Sequence, residues 1–133
     1  MKTTSEQHLR LHSALLLAAL TITGVCAADD AMRPTAGDVR GAYDSDTEFV
    51  DVRTDVEWSA GHLRNAVHLP LDQVDARAAS VLPVKDEKLV LYCRTGRRAQ
   101  SAAEQLRQLG YTHVTAMTGG YADLKAAGYP VVE

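Results

Sequence analysis

Residues 88–110 read KLVLYCRTGRRAQSAAEQLRQLG and combine strand, loop and helix signals in one short stretch. The first part, from Lys88 to Tyr92, is an almost continuous apolar run, typical of a strand buried on both faces of a parallel sheet. The last part has an apolar face at helical spacing, formed by Ala99, Ala102, Ala103, Leu106 and Leu109. Gly110 suits the end of that helix. A buried strand that leads directly into an amphipathic helix indicates an α/β protein.

The alternation of strand and helix signals continues on both sides of this stretch. Further strands are predicted at residues 48–52, 66–69 and 113–117, and further helices after Thr54, over residues 71–79 and after Gly119-Gly120. Thr54 and Glu57 have the spacing of a capping box at the start of the first of these helices. This order predicts a parallel sheet that is covered by helices on both faces.

Length and composition limit the classes of protein that the chain can belong to. It has 133 residues, 46% hydrophobic and 23% charged, which is ordinary for one globular domain. The formal net charge of −3 leaves no basic field for nucleic acid, so we predict no nucleic-acid partner. Two cysteines are too few for a disulfide scaffold or a four-cysteine zinc site.

The first 27 residues indicate a secretory signal peptide. Two basic residues outweigh one acidic residue at its start, and the apolar run at residues 14–22 is about half the length that a membrane-spanning helix needs. Small residues around Ala27 suit cleavage after that position. We therefore predict export of a single domain covering residues 28–133, with no membrane attachment after cleavage. An uncleaved anchor and a lipoprotein attached through Cys26 are alternatives.

The chemistry of the chain is concentrated between the buried strand and its helix. Cys93 directly follows the strand, Gly96 allows a sharp bend, and Arg94, Arg97 and Arg98 surround the start of the helix. Amide groups and the positive end of the helix dipole converge at such a position, and they favour a thiolate and attract an anion. The residues therefore predict a reactive, anion-binding cysteine. The alternative is a cysteine that serves as a small buried apolar residue beside solvated arginines.

Four motifs, in order along the chain, resemble the single-domain rhodaneses, a family of thiosulfate sulfurtransferases. They are Val50 to Arg53, Glu57 to Leu63 followed by Ala66 to Pro70, Tyr92 to Ala99, and Leu109 to Tyr111 followed by Gly119-Gly120 and Ala127 to Val131. The chain is most similar to the small exported rhodaneses of the bacterial phage-shock type. The resemblance places the core of the domain at about residues 48–132. Asn65 stands where the family often has glycine.

The resemblance implies a rhodanese-like fold with a central parallel sheet of four or five strands, because the family's first strand is poorly marked before residue 48. It also implies that Cys93 takes a sulfane sulfur from thiosulfate or a related anionic donor, holds it as a persulfide, and passes it to cyanide or a thiol. The substrate-binding residues would be those of the loop, namely Arg94, Thr95, Gly96, Arg97 and Arg98. No metal or organic cofactor is implied, and the compartment would be the bacterial periplasm.

Two rival functions use the same loop. A cysteine phosphatase or arsenate reductase needs an arginine six positions after the nucleophile, where this chain has Ala99. A non-catalytic binding module on the same fold would be expected to lack the nucleophile, whereas Cys93 is present. Both remain as alternatives to the sulfurtransferase.

The polar and aromatic residues outside the loop are predicted to have structural roles. Asp51 and Arg53 follow each other at a strand end and suit an ion pair, while the capping box accounts for Glu57. His62 follows a helix-stopping glycine and is expected to brace a turn. Trp58 is expected to be core or half-buried packing.

Overall fold

Strands and helices alternate along residues 33–133, the part of the chain that this computed structural model describes. The signal peptide predicted at residues 1–27 lies outside that part. The helices are α1 (Arg40–Tyr43), α2 (Asp55–Ala60), α3 (Val74–Val81), α4 (Arg97–Gln108) and α5 (Tyr121–Ala126), with a 3₁₀ turn at Leu71–Gln73. The strands are β1 (Glu48–Asp51), β2 (His62–Leu63), β3 (Val67–His68), β4 (Lys88–Cys93), β5 (His113–Gly120) and β6 (Val131–Val132).

The central sheet has four parallel strands in the order β3-β1-β4-β5. Strand β4 is an inner strand, in which Leu91 lies opposite Val50 of β1 and Ala116 of β5. All of its residues after Lys88 are buried, because neighbouring strands and helices surround them. This burial explains the apolar run in the sequence, and the predicted parallel α/β sheet is confirmed with four strands.

Helices cover the sheet on both faces, as predicted. Successive strand residues point to opposite faces, so Leu89 and Leu91 join one apolar cluster while Val90 joins the other. The first cluster contains the small buried residues of α3 and α4. The second contains Leu124 of α5 and Val39, which lies just before α1. The carboxyl ends of the parallel strands meet at one edge, where the Cys93 loop lies.

The packed domain extends further toward the N-terminus than the segment 48–132. Ala36 and Val39 are buried in the second cluster. Just before them, the carbonyl oxygen of Pro34 accepts a hydrogen bond of 2.8 Å from the backbone N–H of Thr118. The segment before α1 is thereby attached to the edge of β5, close to the Cys93 loop.

Two short strands are not predicted by the sequence. β2 and β6 form an antiparallel pair with His62 opposite Val132, and strands of two residues are too short to show a period. In the turn between β2 and β3, Asn65 has a φ of 66°. Asparagine tolerates this left-handed conformation better than most residues, so the turn forms without glycine. Within residues 33–133, no helix has the length and apolar character needed to cross a membrane.

Candidate active site at the Cys93 loop

The Cys93 loop is the three-residue connection, residues 94–96, between β4 and α4, together with the residues that flank it. It lies beyond the carboxyl end of an inner parallel strand, which is the usual position of ligand sites in open α/β sheets. The structure therefore brings the loop to the sheet edge that the sequence indicates. The loop is so short that the chain must turn directly from the strand into the helix.

The side chain of Cys93 points into the turn of its own loop. It is fully buried, with a relative exposure of 0%, and its Sγ accepts a hydrogen bond of 3.0 Å from the backbone N–H of Gly96. Cys93 is a free cysteine. An N–H group aimed at sulfur stabilises a negative charge on that atom.

Two glycines give the loop the space that it needs. Gly96 has a φ of 96°, and a Cβ at this position would lie 2.9 Å from the carbonyl oxygen of Met117. Gly120 lies opposite Cys93 where β5 pairs with β4. A Cβ at Gly120 would overlap the backbone carbonyl oxygens of Cys93 and Arg94. The sequence marks Gly120 only as a helix start, whereas the structure shows that it makes room for the cysteine loop.

Three of the predicted substrate-binding residues project from the loop into solvent. Arg94, Thr95 and Arg97 are exposed. Within residues 33–133, neither Arg94 nor Arg97 is engaged in an ion pair or a side-chain hydrogen bond. Both guanidinium groups are therefore available to an anion that approaches the loop.

Arg98 differs from the other two arginines because another side chain already binds it. Its Nη1 and Nη2 donate to Glu57 Oε2 and Oε1 at 2.7 and 2.8 Å. The hydrogen bond from Arg98 is the main reason why the pKa of Glu57 is lowered from 4.5 to about 2. The same contact raises the pKa of Arg98. This bidentate ion pair joins the first turn of α4 to helix α2.

The capping role predicted for Glu57 is confirmed and is only part of what this residue does. Its backbone N–H donates to Thr54 Oγ1 at 3.3 Å, and its Oε2 accepts from the Thr54 N–H at 3.0 Å. The same carboxylate binds Arg98, which is 41 residues away. No local spacing rule relates positions so far apart, so the sequence could not reveal this contact.

A buried ion pair lies next to the loop. Arg53 Nη2 contacts Asp51 Oδ2 at 2.6 Å and also donates to the carbonyl oxygen of Gly61 at 2.7 Å. The Arg53 guanidinium lies 4.3 Å from the centre of the Tyr121 ring. The predicted pairing of Asp51 with Arg53 is confirmed. Above this pair is a cavity of about 320 Å³, which is lined by Arg53, Glu57, Ala60, Arg94, Tyr121 and Ala122.

Trp58 is half-buried, as predicted, and it stacks between two histidines. Its ring centre is 3.5 Å from that of His62 and 4.5 Å from that of His68. His62 also donates from Nδ1 to the carbonyl oxygen of Trp58 at 2.9 Å, so it braces the turn after α2. Within residues 33–133, no group of three or more His, Cys, Asp or Glu side chains is arranged to hold a metal ion.

The sequence model of the Rhodanese-like domain family matches residues 35–127 of the chain. The chain belongs to the rhodanese family. The chain is 36% identical over 76 residues to the thiosulfate sulfurtransferase PspE of Escherichia coli (strain K12), a match that covers 57% of this chain and 72% of PspE. It is 34% identical over 93 residues to a sulfurtransferase of Allochromatium vinosum, covering 70% of this chain and 85% of that protein.

A solved structure and a longer protein are also similar to this chain. A rhodanese with anions from E. coli superposes with a TM-score of 0.57 and 33% identity, covering 65% of this chain and 98% of that chain. The tRNA uridine(34) hydroxylase of Cronobacter sakazakii is 33% identical over 81 residues, and the match covers 58% of this chain but only 23% of that protein. The family and the sulfurtransferase relatives support sulfur transfer as the general activity.

Proposed function

We propose that this rhodanese transfers sulfane sulfur from thiosulfate or a related anionic donor to cyanide or a thiol, and that Cys93 carries the sulfur. The observation that carries the proposal is the hydrogen bond of 3.0 Å from the Gly96 N–H to Cys93 Sγ. It places a backbone donor where negative charge resides on the thiolate. The same donor would lie close to the charge of a persulfide.

The reaction divides into two displacements at sulfur. In the first, the Cys93 thiolate attacks the outer sulfur of thiosulfate, a new S–S bond forms, and the old S–S bond breaks with its electron pair leaving on sulfite. In the second, cyanide or a thiolate attacks the outer sulfur of the persulfide, and the bonding pair returns to Cys93. The products are thiocyanate or a new persulfide, and no external oxidant or reductant is consumed.

The three arginines of the loop have different roles because they have different contacts. Arg94 and Arg97 bind the sulfonate end of the donor, because both are exposed and their guanidinium groups are not engaged within the described chain. Arg98 adds positive charge at the start of α4, while its donors stay on Glu57. Thr95 and Gly96 contribute backbone amides to the same turn.

The experiment is intact-mass measurement of the mature protein before and after treatment with thiosulfate. One bound sulfur adds about 32 Da as a cysteine persulfide, and cyanide should remove that mass. Cys93→Ser should show neither the gain nor turnover, because an alcohol does not form a persulfide. Cys26→Ser is the matched control and should behave as the wild type, because Cys26 lies in the leader that we propose is removed.

The same spectrum tests the proposed export to the periplasm. Protein recovered from the periplasm should begin at or near Ala28, whereas an intact N-terminus in the membrane fraction would contradict cleavage. If the wild-type mass does not increase with thiosulfate or with any other sulfane donor, the sulfurtransferase proposal is wrong. The chain would then be a non-catalytic binding module on the rhodanese fold.

A further inference from the structure

An arginine far from the loop in sequence contacts the Cys93 loop. Arg33 Nη1 donates to the carbonyl oxygen of Gly96 at 3.0 Å, across 63 positions of the chain. Arg33 is partly buried, and the next residue, Pro34, is held on the edge of β5 by the Thr118 N–H. The side chain is therefore directed at the loop by a backbone that is itself attached to the sheet.

Gly96 is restrained by contacts on both sides of its Cα. On one side its N–H donates to Cys93 Sγ. On the other side its carbonyl oxygen accepts from Arg33 and also, at 3.1 Å, from the backbone N–H of Gln100 in α4. Glycine has the greatest backbone freedom of any residue. A side chain that holds the Gly96 carbonyl therefore limits the directions in which the Gly96 N–H can point.

We propose that Arg33 is a positioning residue of the Cys93 loop, which holds Gly96 so that its N–H stays aimed at Cys93 Sγ. This inference rests on the proposed function for its kinetic consequence, whereas its structural consequence can be measured without any sulfur donor. Arg33 acts through Gly96 and does not bind the donor. Its loss should therefore slow the sulfur-transfer step and leave donor binding almost unchanged.

The first measurement is amide hydrogen exchange, followed by NMR, on the exported protein and its Arg33→Ala variant. Loss of one charge-assisted hydrogen bond changes an equilibrium by about tenfold or more. We expect the Gly96 amide to exchange about tenfold faster in the variant, while the Leu91 amide in the centre of β4 is unchanged. Arg33→Lys keeps a charged donor and should restore at least part of the protection.

The second measurement is steady-state kinetics with thiosulfate. Arg33→Ala should lower kcat by about tenfold and leave the KM for thiosulfate within about twofold, as expected for a residue that acts on the sulfur-transfer step and not on donor binding. The control is Arg40→Ala, because Arg40 is the first residue of α1 and its guanidinium lies over the ring of Tyr129, 4.7 Å from the ring centre. This control should change neither Gly96 exchange nor kcat.

The possible outcomes separate the two proposals. Unchanged Gly96 exchange in Arg33→Ala, or a raised KM with unchanged kcat, would overturn the positioning role. If Arg33→Ala speeds exchange equally at Gly96 and Leu91, the residue supports global stability only, and the inference is also wrong. If wild-type protein forms no persulfide, the sulfurtransferase proposal fails. Faster exchange at Gly96 alone would still support the contact through Arg33.

Discussion

Replacing Glu57 by Gln removes the charge that joins helix α2 to the first turn of α4. Gln at this position keeps an oxygen for the capping box with Thr54, so the start of α2 is preserved. The substitution removes the bidentate ion pair, in which the two carboxylate oxygens accept hydrogen bonds from Arg98 at 2.7 and 2.8 Å. The variant therefore isolates the pairing between Glu57 and Arg98 from the local cap.

The expected loss in the free energy of unfolding follows from the pKa of Glu57. Lowering it from 4.5 to about 2 corresponds to roughly 3 kcal/mol of stability at neutral pH. The two side chains are 31% and 29% exposed, so solvent screens part of this interaction. We expect Glu57→Gln to lower the free energy of unfolding by about 1–2 kcal/mol at pH 7.

The pH dependence has a definite sign. Because the folded-state pKa is lowered, the contribution of Glu57 is fully present above its unfolded value of 4.5 and is lost as the pH falls toward about 2. The stability difference between wild type and Glu57→Gln should therefore be constant from pH 7 to about pH 5. It should shrink steadily below that, be small near pH 2, where Glu57 is already half protonated in the folded state, and vanish only below about pH 1, where Glu57 is protonated in both states.

Urea unfolding at a series of pH values measures this difference directly. Glu104→Gln is the matched control, because Glu104 pairs with Arg107 at 3.7 Å with side chains 65% and 49% exposed. A pair so exposed contributes less than about 0.5 kcal/mol. If the two variants are equally destabilised at pH 7, or if the Glu57→Gln difference persists unchanged at pH 2, the reasoning from the ion pair is wrong.

Two further predictions concern the loop and its surroundings. Gly120→Ala should destabilise the fold by at least about 2 kcal/mol in urea unfolding, because the added methyl group meets the carbonyl oxygens of Cys93 and Arg94. Gly41→Ala, where the new Cβ meets nothing within 4 Å, should be neutral or slightly stabilising, and equal losses in both variants would contradict the steric argument. Arg94→Ala and Arg97→Ala should each reduce kcat/KM for thiosulfate by about ten- to a hundredfold. Arg77→Ala, whose side chain contacts Gln73 on the surface, should not reduce it, and unchanged kinetics in both loop variants would exclude their role in donor binding.

The local sequence pattern was sufficient to predict the strand and the helix that flank the Cys93 loop. The apolar run of β4 and the helical spacing of α4 are properties of consecutive residues, and each is visible because a buried strand and a half-buried helix have fixed periods. Thr54 and Glu57 of the capping box are only three positions apart, so the box too can be recognised without a structure. The Asp51–Arg53 ion pair can also be predicted from local sequence, because the two residues are only two positions apart.

Tertiary structure alone decided how the loop is held. Glu57 meets Arg98, Arg33 meets Gly96, and Gly120 makes room for the carbonyl of Cys93, all through contacts between distant parts of the chain. Such contacts depend on the order of strands in the sheet and on how the helices pack against it. A sequence period records only which face of an element is buried, because it arises from each element's own geometry. The residues of the loop predicted a reactive cysteine at residue 93 and left a buried apolar cysteine as the alternative. The full burial of Cys93 and the distant residues that hold its loop follow from the packed domain.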